Sequence, residues 1–221
     1  MILAIDTASK WTGLALHDGR QVLAEHGWRS ASNQTVELAP AVAALLGRAG
    51  AAAADLSAIA VAIGPGSYTG LRIGLGFAKG LALANQTKLI GVPTLDIVAA
   101  ALPPADGALV ALCEAGRSRF CAGVYHWQGS KGWQANGQAA IADLAQLVAG
   151  APEGATLAGE IGPAVARAVR NSGKKLKLAS PARNVRRPAH LAEIGWLRLR
   201  RGWTDDPDNL APIYLRDPAG A

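Results

Sequence analysis

The chain has 221 residues, of which 50% are hydrophobic and 17% charged, and its formal net charge is +6. This balance excludes a mostly disordered chain, and no apolar run reaches the roughly 18 residues that a membrane span requires. The first ten residues lack the basic start and long apolar stretch of a signal peptide. We therefore expect a globular, cytoplasmic protein with one large core or two smaller ones.

The first 103 residues predict an α/β lobe that opens with three antiparallel strands. An apolar run at 2–5 is followed by a hairpin, with strands at 13–16 and 21–25 around a two-residue turn at Asp18 and Gly19. Apolar residues at helical spacing and continuous apolar runs then alternate along the chain. They predict helices at 35–46, 71–84 and 94–102, and buried strands at 56–63 and 88–92.

A Pro- and Gly-rich segment at 103–107 marks the start of a second lobe, which we assign to residues 104–221. This lobe also opens with a hairpin and continues with mixed elements. The pattern predicts strands at 108–113, 119–127 and 156–158, and helices at 141–148, 163–169 and 190–199. A hairpin-led start in both halves favours an α/β protein with two related lobes and mixed sheets.

The sequence contains no recognisable catalytic or metal-binding set. Cys113 and Cys121 have no second Cys or His at metal-ligand spacing, so we expect buried thiols. The four histidines are scattered along the chain, and there is no Gly-x-Ser-x-Gly elbow for a serine nucleophile. We therefore expect no metal site and no catalytic residues.

A glycine-rich turn at 64–70 is the most informative segment, because it joins a buried strand to a helix. Backbone amides at such a turn point outward at the positive end of the helix, where an anionic group binds. With the strand-end Asp6, this predicts a weak, vestigial phosphate site. The residues are Asp6, Thr7, Gly66, Ser67 and Thr69. The alternative is that the glycines supply tight backbone angles and that Ser67 or Thr69 caps the helix.

Four glycines continue through the second helix, where each costs about 1 kcal/mol relative to alanine. They form two pairs at a spacing of four, Gly70 with Gly74 and Gly76 with Gly80, which places each pair on one face of the helix. Each pair lets another backbone approach closely. The neighbour is either the sheet of the same chain or a helix of another subunit.

The basic residues are concentrated in one part of the sequence. Residues 167–201 contain eleven Lys and Arg against a single acid, Glu193. This asymmetry indicates a polyanionic neighbour of the second half, and the alternative is a solvated basic face.

Four segments of the sequence resemble the TsaB (YeaZ) family, which assists the formation of threonylcarbamoyladenosine in bacterial tRNA. They are ILAIDTASKWTGLAL at 2–16, AIGPGSYTGLRIGLGFAKGLALA at 62–84, IGVPTL at 90–95 and the ending PIYLRDP at 212–218. Between these, only CEAGRSRFCAGVY at 113–125 is similar to the family. The resemblance implies an actin-like, hexokinase-like ATPase (ASKHA) fold made of two ribonuclease H-like lobes.

The resemblance also implies a function without chemistry of its own. Members of the family pair with a larger catalytic paralogue, TsaD, and with an ATPase, TsaE, to modify the adenosine beside the tRNA anticodon. TsaD-like catalysts hold a metal with a histidine pair on a helix, and the corresponding helix here contains no histidine. We therefore expect a non-catalytic scaffold subunit, with ATP and metal bound by the partner subunits and no cofactor of its own.

The sequence departs from the family pattern at two places. Asn33 and Gln34 stand near a position where relatives often have a histidine, and Cys113–Gly116 replaces a usual Asp-Ala-Arg turn. A complete nucleotide clamp is therefore not expected. The alternatives are an ATP-dependent small-molecule kinase of the same fold, whose phosphates would contact Asp6 and the 64–70 turn, and a regulatory binding protein. Nothing in the sequence supplies an endopeptidase with a nucleophile.

Two surfaces follow from these arguments. The partner interface is predicted on the helices at 35–46 and 70–84, where the glycine cost is otherwise unexplained. Its residues are Val36, Gly70, Arg72, Ile73, Gly74 and Phe77. A tRNA contact through phosphates is predicted on the basic stretch, at Lys174, Lys175, Lys177, Arg186 and Arg187. Whether the free protein is a monomer or a homodimer stays open.

Overall fold

The computed structural model describes residues 1–31, 33–116 and 118–215. Ser32, Arg117 and residues 216–221, which include part of the PIYLRDP ending and of the expected second lobe, lie outside the described residues. The described chain divides into two compact units. Unit 1 comprises Met1–Thr94 and Arg187–Ile213, and unit 2 comprises Leu95–Arg186 with Tyr214 and Leu215.

Unit 1 is built on a five-stranded mixed sheet in the order β3-β2-β1-β4-β5. The central strand β1 pairs antiparallel with β2 and parallel with β4, and β3 and β5 form the edges. Both β1 and β4 are almost completely buried, which explains their continuous apolar sequences. The strands are β1 (Ile2–Asp6), β2 (Trp11–His17), β3 (Val22–Arg29), β4 (Ala58–Gly64) and β5 (Lys88–Pro93).

Three helices pack against this sheet. They are α1 (Gln34–Arg48), α2 (Tyr68–Asn85) and, from the far end of the sequence, α6 (Pro188–Arg200). The apolar stripe of α1, with Leu38, Val42 and Leu45, packs into the core beneath the sheet. Ser67 caps α2, because its Oγ accepts a hydrogen bond from the Gly70 amide at 3.2 Å.

Unit 2 has a six-stranded sheet with the path β11-β10-β6-β7-β8, and β9 also pairs with β7. Its central strand β6 pairs antiparallel with β7 and parallel with β10, as β1 does with β2 and β4. The strands are β6 (Leu109–Gly116), β7 (Arg119–Trp127), β8 (Trp133–Ala135), β9 (Ala140–Ala142), β10 (Thr156–Gly159) and β11 (Lys177–Leu178). The helices are α3 (Thr94–Ala100), α4 (Leu144–Gly150) and α5 (Pro163–Asn171). The predicted pair of related, hairpin-led halves is therefore present.

The expected contiguous division at residues 103 and 104 differs from the observed one. Helix α6 packs on the sheet of unit 1, where Gly13 lies against Pro188 and Gly195 lies against Ala60 so closely that an added Cβ would overlap the neighbour. The segment after α6 stays with the same unit, because the Ile213 amide donates to the Ile63 carbonyl at 2.7 Å. Because α6 buries its apolar side against this sheet, Arg187–Ile213 belong to unit 1 although they lie in the second half of the sequence.

One turn length, one helix start and three short strands differ from the prediction. The hairpin between β2 and β3 has a four-residue connection at 18–21, in which the Asp18 carboxylate accepts bonds from the Arg20 and Gln21 amides. Ile141 lies in β9 and not in a helix, and the short strands β8, β9 and β11 were not predicted. Strands of two or three residues carry too few side chains to produce a periodic pattern. In the described residues, no helix is long and apolar enough to cross a membrane.

Candidate functional site

The predicted phosphate site lies where β1 ends and α2 begins, and its residues do come together. Asp6 and Thr7 are fully buried, and an Asp6 oxygen accepts a hydrogen bond from the Ala8 amide at 2.9 Å. The Thr7 hydroxyl donates to the Gly70 carbonyl at 2.7 Å, which ties the end of β1 to the first turn of α2. The sequence therefore identified two segments that are neighbours in space.

Two amides of the glycine-rich turn donate hydrogen bonds inside the chain. The Ser67 amide donates to the Ala8 carbonyl at 2.7 Å, and the Gly70 amide donates to Ser67 Oγ. Gly66 faces the same Ala8 carbonyl so closely that an added Cβ would overlap it. Thr69 is exposed and leaves the capping to Ser67. This geometry favours the interpretation in which the glycines allow close packing, and the phosphate site stays a prediction.

Gly70 and Gly74 do not belong to an exposed interface, so this part of the prediction was wrong. Both are buried, and an added Cβ would overlap the Thr7 carbonyl oxygen at Gly70 and Thr7 Oγ1 at Gly74. The cost of placing these glycines in a helix is offset by the close approach of α2 to the end of β1. Their neighbour is the sheet of the same chain.

Gly76 and Gly80 lie on the opposite side of α2 and are exposed. A Cβ built on either of them meets no atom within 4 Å. Two residues along an α-helix correspond to a rotation of about 200°, which explains why Gly74 faces inward and Gly76 outward. Packing within the described chain gives no reason for these two glycines.

The remaining predicted interface residues lie on α1 and α2 and differ in exposure. Val36 on α1 has 69% of its surface exposed, and Arg72 on α2 is exposed as well. Ile73 and Phe77 are half-buried and pack partly against the core of unit 1. We call the exposed surface formed by Val36, Arg72, Gly76, Gly80 and Leu83 the outer helix surface.

Sequence reasoning missed two members of this region. Leu83 is the most exposed large apolar residue of the described chain, at 83%, and Tyr68 is 58% exposed. The Tyr68 hydroxyl accepts a hydrogen bond from Arg72 Nη1 at 2.6 Å, and the guanidinium lies 5.0 Å from the ring centroid. The spacing of four between these two residues was the available signal, because side chains at i and i+4 meet on a helix.

In unit 2, the turn that replaces the family's Asp-Ala-Arg sequence is occupied by a carboxylate of the same chain. The Glu114 amide donates to Glu160 Oε2 at 2.7 Å, and Glu160 Oε1 pairs with Arg186 at 3.4 Å. A turn amide that could bind an anion is therefore already bonded to one. This supports the expectation that the turn does not complete a nucleotide clamp.

The two cysteines lie next to this turn, directly opposite each other on β6 and β7. Both thiols are buried, as predicted, and neither forms a disulfide. The hydrogen bond shared with Cys121 and burial raise the pKa of Cys113 well above its usual value. The same hydrogen bond lowers the pKa of Cys121. A thiol as buried as Cys113 is held in its neutral form and is a packing residue.

Three of the five predicted tRNA contacts have partners inside the chain. Lys174 Nζ donates to the carbonyls of Val148, Ala149 and Ala151 at 3.1, 2.5 and 2.9 Å, and thus caps the end of α4. The Arg186 side chain is 3% exposed and pairs with Glu160. These internal partners argue against a tRNA contact by Lys174 and Arg186, and the contact stays a prediction.

Arg187 is intermediate, since its guanidinium pairs with Glu25 while its side chain remains exposed. Hydrogen bonding to Glu25 raises the pKa of Arg187. Lys175 and Lys177 are exposed on the edge of unit 2, together with Arg183. The basic stretch is therefore partly structural and partly a solvent-facing cationic surface.

Most of the chain matches a known protein family. Residues 29–193 match the family described as TsaD, tRNA N6-adenosine threonylcarbamoyltransferase. The chain is similar to the tRNA threonylcarbamoyladenosine biosynthesis protein TsaB of Bacillus subtilis, with 39% identity over 58% of this chain and 56% of the relative. It is similar to TsaB of Escherichia coli, with 42% identity over 44% of this chain and 42% of the relative. These matches thus span about half the length of each relative.

Solved structures extend the similarity to nearly the whole chain. YeaZ from Pseudomonas aeruginosa superimposes with a TM-score of 0.79 at 25% identity, covering 97% of this chain and 99% of that one. The ROK hexokinase of Thermus thermophilus superimposes with a TM-score of 0.50 at 13% identity, over 90% of this chain and 99% of that one, and shows the fold alone. The expected resemblance to TsaB and YeaZ and the hexokinase-like fold are confirmed.

Proposed function

Because the chain belongs to the TsaD family of tRNA N6-adenosine threonylcarbamoyltransferases, we propose that it is an accessory subunit that pairs with a catalytic paralogue of that family. The names of the TsaB relatives support a role in threonylcarbamoyladenosine biosynthesis over the kinase alternative. In this role the chain supports transfer of the threonylcarbamoyl group to tRNA in the cytoplasm, while the paralogue and the TsaE ATPase supply ATP and metal chemistry.

The observation that carries this proposal is the outer helix surface. Gly76 and Gly80 each cost about 1 kcal/mol of helix stability, and nothing in the described chain approaches them. Leu83 on the same helix and Val36 on α1 add exposed apolar area. A helix of another subunit packed across the two glycines would bury these side chains and explain the absence of a Cβ.

The internal use of the turn amides supports a subunit without catalysis of its own. The first-lobe amides of Ser67 and Gly70 and the second-lobe amide of Glu114 are all bonded within the chain. We therefore propose that the purified chain alone neither transfers the threonylcarbamoyl group nor hydrolyses ATP. Turnover by the chain alone that Asp6→Ala abolishes would contradict this.

The pairing is tested by size-exclusion chromatography of the chain with its TsaD paralogue, comparing the parent with Gly76→Leu and Leu83→Asp. We expect both variants to weaken the complex by about tenfold or more, since they place bulk or charge where a helix packs. Gly76→Leu should not lower the unfolding midpoint of the chain, because the site is open and leucine is a better helix former.

The matched control is Gly150→Leu, an equally open glycine of unit 2 at the end of α4. It should leave the complex intact. If Gly76→Leu and Leu83→Asp pair with the paralogue as tightly as this control does, the interface lies elsewhere. The chain run by itself also reveals whether the same surface holds a second copy when the paralogue is absent.

A further inference from the structure

A cavity of about 270 Å³ opens in unit 2 at the amino ends of β6 and β10. It is therefore at the other end of these strands from Glu114 and Glu160, which lie at their carboxyl ends. The aliphatic residues that line it are Leu102, Pro103, Ala105, Ala108, Leu109 and Ala179. The volume lies just below the range of ordinary small-molecule sites, so the cavity accommodates one ring-sized group.

One wall of the cavity is aromatic, and its indole N–H is already hydrogen-bonded. Trp133 lines it, and the indole N–H donates to the Leu102 carbonyl at 3.1 Å. The ring is also held by Trp127, whose centroid lies 5.8 Å away in an edge-to-face arrangement. A fixed indole beside aliphatic side chains is a surface for a flat, largely apolar ring.

Two cations complete the lining. Lys177 and Arg183 border the cavity, and both are exposed. Residues 151–186 contain seven Lys and Arg against two acids, Glu153 and Glu160, and a third acid, Asp106, lies between the lining residues Ala105 and Gly107. Glu160 is already paired with Arg186. A lysine and an arginine at one cavity favour a group with more than one negative charge, as phosphate has.

We propose that this cavity binds a nucleotide unit, with the base against Trp133 and the aliphatic wall and the phosphate held by Lys177 and Arg183. A free nucleoside monophosphate and an unstacked residue of single-stranded RNA present the same base and phosphate. Both are therefore tested as ligands. The site depends neither on the outer helix surface nor on a catalytic paralogue, so its success or failure is separate from that of the proposed pairing.

The experiment uses the full chain and four probes: AMP, ribose 5-phosphate, inorganic phosphate and a fluorescein-labelled single-stranded RNA hexamer. AMP binding is measured by calorimetry, and hexamer binding by fluorescence anisotropy with AMP as competitor. We expect AMP to bind at least about tenfold more tightly than either probe without a base, because base stacking adds to the phosphate contact. Competition between AMP and the hexamer assigns the site to nucleotides within RNA, and its absence assigns it to free nucleotides.

Two variants separate the contributions of charge and shape. Lys177→Gln combined with Arg183→Gln removes the cations, and Ala105→Trp fills the exposed mouth of the cavity while keeping them. Each is expected to weaken AMP binding about tenfold or more. The matched control is Arg167→Gln combined with Arg170→Gln, which removes two exposed cations of α5 that do not line the cavity. It should change the affinity for AMP by less than about twofold.

Three results would overturn the proposal. One is the absence of binding by both AMP and the hexamer at ligand concentrations up to about 10 mM. Another is equal affinity for AMP and inorganic phosphate, which would leave the base unrecognised. The third is an unchanged affinity in the folded Ala105→Trp variant, which would place the nucleotide outside the cavity. Circular dichroism and the unfolding midpoint establish that each variant is folded.

Discussion

The two glycine pairs of α2 have the same residue type, the same helix and the same spacing, yet their surroundings are opposite. Gly70 and Gly74 lie against Thr7, whereas Gly76 and Gly80 face open space. The same contrast recurs in the basic stretch, where Arg186 and Lys174 have internal partners and Lys175 and Lys177 are exposed. Residue type and spacing thus identify a special position without saying what it contacts.

The largest effect is expected at the inner glycine pair. Gly74→Ala forces a methyl group onto Thr7 Oγ1 and should lower the free energy of unfolding by about 3 kcal/mol. Gly80→Ala, its outward counterpart, should raise the same quantity by about 0.5–1 kcal/mol. Urea denaturation of both variants measures the difference. The double variant Thr7→Ala with Gly74→Ala should recover part of the loss, and equal stability of the two glycine variants would refute the contrast.

The second largest loss of stability is expected at the buried Arg186. Arg186→Gln leaves Glu160 without its cation and should destabilise the chain by about 2–3 kcal/mol, somewhat less than a fully buried pair because Glu160 is partly exposed. Arg167→Gln removes an exposed cation and should change stability by less than about 0.5 kcal/mol. Thermal unfolding of the two variants is sufficient. A loss in both would indicate a general effect of net charge.

Lys174 should show a smaller effect of the same kind. Replacing it with Gln removes a cation that donates to three carbonyls at the end of α4, and we expect a loss of about 1–2 kcal/mol. Lys175→Gln is the control, because its side chain is exposed. Chemical denaturation compares the two. If Lys174→Gln instead lowered only RNA affinity, the capping role would be wrong.

The smallest effect concerns pH. Burial lowers the pKa of His190, with Glu193 and Glu25 opposing and Arg187 reinforcing this shift. Because the pKa of His190 is lower in the folded chain than in the unfolded chain, the unfolded chain binds the proton more readily. The stability contributed by the neutral His190 is therefore complete above pH 6.5. It is lost as the pH falls through 6.5 toward the folded pKa. His190→Gln should therefore lose less stability than the parent between pH 8 and about 5.5, as measured by urea denaturation of both proteins at the two pH values.

Much of the fold was predictable because it depends on local and periodic patterns. The buried strands β1 and β4 appear as continuous apolar runs, and α1 and α2 as helical repeats, so their existence and approximate bounds follow from the residues. Thr7 and the 64–70 turn, which the sequence grouped in one site, are neighbours in the structure, and the phosphate site itself stays a prediction. The contacts of Gly70, Lys174 and Arg186 were not predicted, because each of these residues contacts an atom far away in sequence.

The sequence by itself determined the two hairpin-led halves, the family resemblance and the positions where glycine and positive charge are unusual. Only the tertiary structure decided that α6 joins unit 1, that one glycine pair faces the chain and the other faces outward, and which basic side chains remain exposed. The physical reason is that periodicity and propensity act over a few residues. Burial, hydrogen-bond partners and close backbone approach are set by contacts between residues far apart in the sequence.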